Sequence, residues 1–362
     1  MKVLVLGAGA GGAAAVAELT LAGHEVVLWN RSSATLEPFR AAGGVEYEGV
    51  LGEGRAVPRA ITADLGDAIR DVDAAVMTLP TFSHAPVARA LGEAGWPQDR
   101  PIVLNPGHTG GALEFAHAFG TTGRALPPIA EFSTLTYVAR KYRPERVTIT
   151  GRAKRVRAAA LPGGGAALDL GCSLFPGAFP VADVLAADLS NANLVLHPPG
   201  AILGAAWVEA TGGDYTFYVQ GMTPGVARTM KRLDDERLAV AAAFGHRLPG
   251  IVEEMQSIGT VEADVTDVHD LVGAIAGGTA NARIKAPHSL EHRYYREDFG
   301  HGMLPFLELA SIAGVETPVA ASLYTLAEAL VGIDFRASGR TAMTMGIAGF
   351  SRQELVDHVR QP

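Results

Sequence analysis

The chain is expected to fold as α/β plus all-α: an N-terminal doubly wound parallel sheet followed by a C-terminal helical domain. Three observations lead there. Short apolar, β-branched runs alternate with helical segments through the first half. A glycine cluster sits between the first such run and the first helix. After Pro180 the periodicity is almost wholly helical. The boundary therefore falls near residue 180, giving regions 1–180 and 181–362, with Gly163–Gly165 and Pro176–Pro180 as hinge or linker material.

Lys2–Leu6 is short, apolar and ends at glycine, as a buried parallel strand does. Ala10–Ala22 is the first helix, stopped by Gly23. Glu25–Trp29 is the second strand, and Ser32 or Ser33 caps a helix running to about Ala42. Val72–Leu79 is a strand closed by Pro80, and Val87–Ala94 is helical. Pro101–Asn105 is a further strand, followed by the loop Pro106–Gly111 and a helix over Ala112–Phe119. The second half offers helices at Ala201–Ala210, Val226–Phe244, Leu304–Ala313 and Val319–Val331. Within the second of these, Asp234-Asp235-Glu236-Arg237 reads as a solvated face with local ion pairs.

Composition narrows the function. At 362 residues the chain can bury a large core without staples, and 48% hydrophobic with 19% charged residues is globular. Net charge is −8 with no basic stripe, so no nucleic-acid partner is expected. The single cysteine, Cys172, makes no intrachain disulfide or thiolate zinc site and reads as a small buried hydrophobe. The glycine-broken apolar run Val3–Ala17 is not a signal peptide, and no uncharged span of about 20 apolar residues occurs, so a cytoplasmic protein without a membrane partner is expected. His288 and His292 stand at i, i+4 but lack a placed acidic or cysteine partner, so no metal is expected.

Gly7-Ala8-Gly9-Ala10-Gly11-Gly12 satisfies G-x-G-x-x-G between a strand and a helix, the context in which the pattern carries meaning. Gly7 allows the tight turn, Gly9 a close approach to a pyrophosphate, and Gly12 close helix–strand packing. The anion would sit at the helix N-terminus, beside Ala10. This is the fingerprint of a Rossmann dinucleotide-binding domain. The second strand ends in Asn30-Arg31-Ser32, where an NAD site usually offers an acidic residue. An arginine and a hydroxyl suit a 2′-phosphate, so NADP(H) is the preferred cofactor and NAD(H) the second candidate. Pro80 and Asn105, at the ends of the later strands, complete the expected cofactor contacts.

Two segments of the second half carry chemistry: Asn191–Pro199, containing His197, and Arg293-Tyr294-Tyr295-Arg296-Glu297-Asp298. Hydride chemistry needs a proton donor or acceptor, and histidine serves best near neutral pH when a carboxylate fixes its tautomer. On the residues alone, a histidine before Pro198-Pro199 reads as structural, and nothing in the spacing brings it to Asp298.

In order and spacing, the glycine loop, Leu104–Phe115, Asn193-x-x-x-His197-Pro198, Arg293-Tyr294-x-x-Glu297-Asp298 and Asp334-Phe335-Arg336 with Gly339-Arg340-Thr341 resemble the opine dehydrogenases, the octopine/nopaline dehydrogenase family, over essentially the whole chain. The resemblance implies reduction of the imine formed between a 2-oxo acid and an amine, and a homodimer. It implies His197 and Asp298 as the catalytic pair, Arg293 as the grip on the oxo-acid carboxylate, and His108 as a polar contact near nicotinamide and substrate. In the segment Ala130–Thr134 relatives tend to carry a small hydroxyl residue after the glutamate, and this chain has Phe132. Phe132 is therefore expected to line the substrate pocket and to favour an apolar amine over a basic one.

Two alternatives remain at this level. Ketopantoate reductases and glycerol-3-phosphate dehydrogenases share the scaffold but use a lysine in the helical domain; Lys231 and Lys285, the lysines after residue 180, stand in no such motif. A non-catalytic NADP(H)-binding sensor is the other.

Overall fold

The computed structural model describes residues 1–279 and 281–360. They form two compact units: Met1–Gly107 with Gly111–Val184, and His108–Gly110 with the chain from Leu185 onward.

Twelve strands lie in the first unit: β1 (Lys2–Leu6), β2 (Glu25–Trp29), β3 (Val45–Gly49), β4 (Gly54–Ala56), β5 (Ala60–Thr62), β6 (Ala74–Met77), β7 (Ile102–Leu104), β8 (Ile129–Phe132), β9 (Tyr137–Arg143), β10 (Arg146–Arg152), β11 (Val156–Ala160) and β12 (Ala178–Pro180). An eight-stranded sheet runs β12-β11-β8-β7-β6-β1-β2-β5. All its pairs are parallel except β8 with β11. The central strands are fully buried apolar runs, as parallel strands covered on both faces must be. β1 lies between β2 and β6, so the strand order reverses at its carboxyl end, where such sheets open a crevice for ligands.

The second sheet, β4-β3-β10-β9, was not anticipated. Its strands alternate: Val45 and Tyr47 are buried while Glu46 and Glu48 reach the surface and pair with Arg146 of β10. The helix Ala10–Leu21 packs against both sheets, and its residues Gly11–Ala17 and Leu19 are all buried. That is why it is apolar all round rather than amphipathic.

The second unit is helical, with an isolated bridge between Thr216 and Lys285 as its β pairing among the described residues. Its helices include Ala192–Leu203, Pro224–Ala243, Ile251–Ile258, Arg293–Asp298, Leu304–Ala313 and Pro318–Val331. Two expectations are corrected here. The span expected as one helix, Ala201–Ala210, is divided at Gly204: the helix Ala192–Leu203 ends there after running through Pro198 and Pro199, and a second helix, Ala205–Thr211, follows. Two prolines remove two amide donors, but Leu194–Ile202 is buried along its length, and that packing outweighs the loss. The Asp234–Arg237 segment is a solvated face only in part: Asp235 is exposed and pairs with Lys231, but the segment's two ends turn inward. Asp234 and Arg237 are 2% and 1% exposed and pair with each other. Arg237 also donates to the carbonyls of Leu189 and Pro249, and Asp234 accepts from Ile251 N–H, so every strong group of the pair is satisfied. Cys172 is half-buried rather than a core residue.

Candidate active site

The glycine loop meets the steric demands of a dinucleotide. Gly7 holds φ +121°, open to glycine, and its N–H bonds the Trp29 carbonyl at 2.8 Å. A Cβ on Gly12 would lie 1.8 Å from the Gly7 carbonyl oxygen, so only glycine fits. A Cβ on Gly9 would meet nothing within 4 Å: the space beside it is open. No side chain caps the helix that Gly9 precedes, which leaves its first amides, at Ala10 and beyond, pointing at that space. Such a cradle fits a pyrophosphate.

Around the loop, the expected contacts divide into braces and free groups. Asn30 braces the loop: its Oδ1 accepts from Ala8 N–H at 3.3 Å and its Nδ2 donates to the Ser32 carbonyl at 3.4 Å. Ser32 is the N-cap of the helix Ser33–Ala41, accepting from Thr35 N–H, and its hydroxyl hydrogen stays available to an acceptor. Arg31 is exposed, and Pro80 is exposed at the head of a short turn. Asn105 is fully buried, with both ends of its amide bonded to Thr136. Its side chain fixes the turn after β7, with one of its two amide hydrogens committed to Thr136.

The position of Phe132 corrects the sequence reading. Its ring has no exposed surface, meets Phe175 edge-on at 5.7 Å, and fills the space that a Cβ on Gly171 would invade. β8 turns this side chain into the core between the sheet and the helix Gly165–Leu174. Phe132 lines no pocket, and the inference of an apolar amine loses its ground.

In the second unit the structure brings four separate segments together. His197 is 3% exposed; its Nδ1 lies 2.7 Å from Asp298 Oδ2 and its Nε2 lies 2.8 Å from the Tyr218 hydroxyl. Tyr294 stacks on the imidazole at 3.8 Å between centroids. A carboxylate only accepts, so Nδ1 carries the hydrogen and neutral Nε2 accepts from Tyr218. Tyr218 is hydrogen-bonded in turn to Tyr294, and burial, aided by that neighbour, pushes its hydroxyl well above the ordinary phenol range. Asp298 closes the helix that Arg293 opens, so both reach the site from one short element. Burial opposes the Arg293 charge, but the carboxylates of Glu297 and Asp298 outweigh it and hold the guanidinium firmly protonated.

His108 joins this group from the loop after β7. It holds φ 59°, rare for a residue with a side chain. The loop is pinned within its unit: Gly110 N–H donates to Asp188 Oδ1 at 2.7 Å, Thr109 Oγ1 donates to the Asp188 carbonyl at 3.3 Å, and Arg340 donates to the Thr109 carbonyl. Burial lowers the His108 pKa against the pull of Glu297 and Asp298. His292 accepts from Tyr294 N–H as the N-cap of Arg293–Asp298; burial first, then the Arg293 charge, bring its pKa down to about 4.

Sequence reasoning missed Tyr218, Tyr294 and Glu297. Tyr294 and Glu297 lie inside the Arg293–Asp298 segment and could have been found by helical spacing, Tyr294 at i, i+4 from Asp298 and Glu297 at i, i+4 from Arg293. Tyr218 stands in an irregular stretch after Phe217, where no periodicity flags it. The two lysines of interest stand apart from this site: Lys231 pairs with Asp235 on its own helix and Lys285 with Asp214, all exposed.

A parallel sheet with a glycine cradle at its switch point, followed in the chain by a helical unit carrying a buried His–Asp pair, defines an NAD(P)-dependent oxidoreductase. Residues 180–331 match the family model described as NAD/NADP octopine/nopaline dehydrogenase, alpha-helical domain. Residues 3–105 match that of ketopantoate reductase PanE/ApbA. The chain is 33% identical over 350 residues to an opine dehydrogenase of Arthrobacter sp. (strain 1C), covering 96% of this chain and 95% of the relative. It is 27% identical over 375 residues to a vitopine synthase of Allorhizobium ampelinum, covering 98% of each. Among solved structures it is similar to an octopine dehydrogenase in complex with NADH and agmatine, with a TM-score of 0.77, 24% identity and 98% of each chain covered. It is also similar to a yersinopine dehydrogenase with NADP+ bound, with a TM-score of 0.76, 16% identity and 100% and 98% covered. The chain belongs to the opine dehydrogenase family. Its reaction is the NAD(P)H-dependent reductive condensation of a 2-oxo acid with an amine, an oxidation–reduction at a CH–NH bond.

Proposed function

We propose that His197 is the acid–base of this reaction, Asp298 its orienting carboxylate, Arg293 the anchor for the oxo-acid carboxylate, and NADPH the preferred reductant. The contact between His197 Nδ1 and Asp298 at 2.7 Å carries the reading, because it leaves Nε2 as the one nitrogen able to take up and release a proton. The nicotinamide supplies the hydride, and the protein supplies the rest. Arg293 grips the carboxylate bidentately, which fixes the keto carbon in one orientation. Protonated His197 polarises the carbonyl and later the imine, and Asp298 stabilises the imidazolium charge. In the reverse direction neutral His197 takes the amine proton. His108 adds a neutral polar group beside Arg293, its burial keeping it uncharged.

At the nucleotide end, Asn30 shapes the loop while Arg31 and the Ser32 hydroxyl face the ribose 2′-position. The absence of Asp or Glu at the end of β2 supports a 2′-phosphate there. The reading includes a cytoplasmic homodimer, carried by family resemblance, which sedimentation of the purified protein tests.

The deciding experiment is product mass from oxo acid, amine and NADPH with wild-type and His197→Ala proteins. Wild type should yield a secondary amine containing both carbon skeletons, and the variant should lose about 10²–10⁴ in turnover with its fold intact. Near-normal turnover by His197→Ala would remove the proton from His197 and place the chemistry elsewhere.

A further inference from the structure

His197 Nε2 is not open. The Tyr218 hydroxyl lies 2.8 Å from it, in a site where His197 and Tyr218 are 3% and 5% exposed. The phenol is held from behind: Phe217 packs edge-on against its ring at 5.0 Å, and its oxygen meets the Tyr294 hydroxyl. Tyr294 itself lies flat on the imidazole. Asp298, His197, Tyr218 and Tyr294 thus form one chain of hydrogen bonds running from a carboxylate through an imidazole to two phenols.

We infer that Tyr218 is a positioning residue for His197: without substrate its hydroxyl serves Nε2 in both protonation states, donating to the bare nitrogen and accepting from the N–H, and it yields Nε2 to the substrate oxygen or nitrogen when one binds. When His197 gains a proton, the Tyr218 hydrogen rotates towards the Tyr294 oxygen. When His197 loses it, the hydrogen rotates back. No proton leaves either phenol, in keeping with a hydroxyl that burial holds far from ionisation. Buried imidazolium N–H groups without an acceptor are costly, so a hydroxyl that can reverse its role keeps both states of the histidine accessible.

The two states do not gain equally. A hydrogen bond from a charged donor is stronger than one to a neutral acceptor. Removing the hydroxyl therefore harms imidazolium more than imidazole and lowers the His197 titration. The other charged and titratable groups around the His197 helix are unchanged by such a substitution: Asp298, Arg293, Glu297 and His292 on the Arg293–Asp298 helix and its cap, His108 on the loop after β7, His301 on the turn that follows Asp298, Glu254 on Ile251–Ile258, Tyr324 and Glu328 on Pro318–Val331, and the closed Asp234–Arg237 pair.

This inference rests on the proposed role of His197 only in its kinetic consequence, so two readouts keep them apart. The His197 imidazole is followed by NMR in histidine-labelled, ligand-free protein, with His197→Gln assigning its resonance. Tyr218→Phe should lower its titration by about one pH unit and shift the Nε2 resonance of the neutral form. Tyr294→Phe keeps the Tyr218 hydroxyl but removes the group that receives its hydrogen; it should move the titration the same way by less, and it supplies the test should Tyr218→Phe fail to fold. The low-pH limb of kcat/KM should move with the titration. An unmoved His197 titration and Nε2 resonance in whichever of these variants folds would overturn the inference. A moved titration together with full turnover in His197→Ala would uphold it and defeat the assignment of His197 as the acid–base.

Discussion

Gly9 and Gly12 stand three residues apart in one loop and are glycine for different reasons. A Cβ on Gly12 would collide with the Gly7 carbonyl at 1.8 Å, whereas one on Gly9 would enter empty space. Gly12→Ala should therefore damage the fold, costing about 1–3 kcal/mol or more in unfolding free energy. Gly9→Ala should leave the melting temperature of the free protein nearly unchanged and still weaken nucleotide binding, because its methyl group would occupy the approach to the cradle. Calorimetric binding and melting on the two variants separate these outcomes, and equal melting losses would refute the distinction. The His197–Asp298 pair makes a second residue-scale test. Asp298→Asn keeps shape but loses the charge that holds the Nδ1 hydrogen; Asn can present its amide donor to that nitrogen and invert the tautomer. Turnover should fall by about 10²–10⁴ in either single variant, and His197→Ala with Asp298→Asn together should cost little more than the worse single change. Multiplicative losses would show that the two act independently.

The helix Arg293–Asp298 shows how an element couples stability to the site. Its N-cap is His292, an uncommon cap that works only while Nδ1 is unprotonated and can accept from Tyr294 N–H. With a folded pKa of about 4 against an ordinary 6.5, the unfolded chain takes up this proton first as pH falls. The stabilising contribution is complete above about pH 6.5 and drains away towards about pH 4. Between pH 7.5 and pH 5 the folded protein should lose on the order of 1–2 kcal/mol from this group, allowing for partial screening by solvent. His292→Asn retains a capping acceptor without the titration, so its stability should fall less over the same range; identical pH dependence would clear His292 of the role. Nothing in the sequence announced this cap, because histidine is not a capping signal. Other elements were legible to within a residue or two. β1, β2 and the helices Ala10–Leu21 and Leu304–Ala313 are clear apolar runs of the right length, and all but β2 are followed closely by a glycine. The helix bearing His197 was misread at its start because Pro198-Pro199 is a local break signal, overridden by burial that only the tertiary structure supplies. The second sheet was missed because its strands are short and charged on one face, and β3 pairs with β10 across about a hundred residues.

At the scale of the whole molecule, sequence patterning delivered the α/β-then-helical plan, and the comparisons bear out the family. What it could not deliver was the meeting of His108, His197, Tyr218 and Arg293, which come from four separate stretches, nor the inward turn of Phe132, which depends on which face of β8 the sheet presents to Phe175. Cofactor choice is the property in which a single exposed residue should show in the behaviour of the entire chain. A ligand that binds only the folded state stabilises it by RT ln(1 + [L]/Kd), so two nucleotides at one saturating concentration differ in stabilisation by RT times the logarithm of their Kd ratio. In the proposed reading Arg31 and the Ser32 hydroxyl meet the ribose 2′-position, and the stretch Asn30–Ser33 holds no carboxylate to repel a phosphate. A 2′-phosphate paired with arginine is worth roughly tenfold to a hundredfold in binding, or about 1.4–2.7 kcal/mol. NADPH should therefore raise the melting temperature by several degrees more than NADH at equal concentration. Arg31→Ala should erase the difference by lowering the NADPH value alone, leaving the NADH value and the melting of the free protein in place, since Arg31 is exposed and forms no ion pair among the described residues. Equal melting shifts for the two nucleotides in the wild-type protein, or a loss with both in the variant, would remove Arg31 from the 2′-phosphate site and open the preference to NADH.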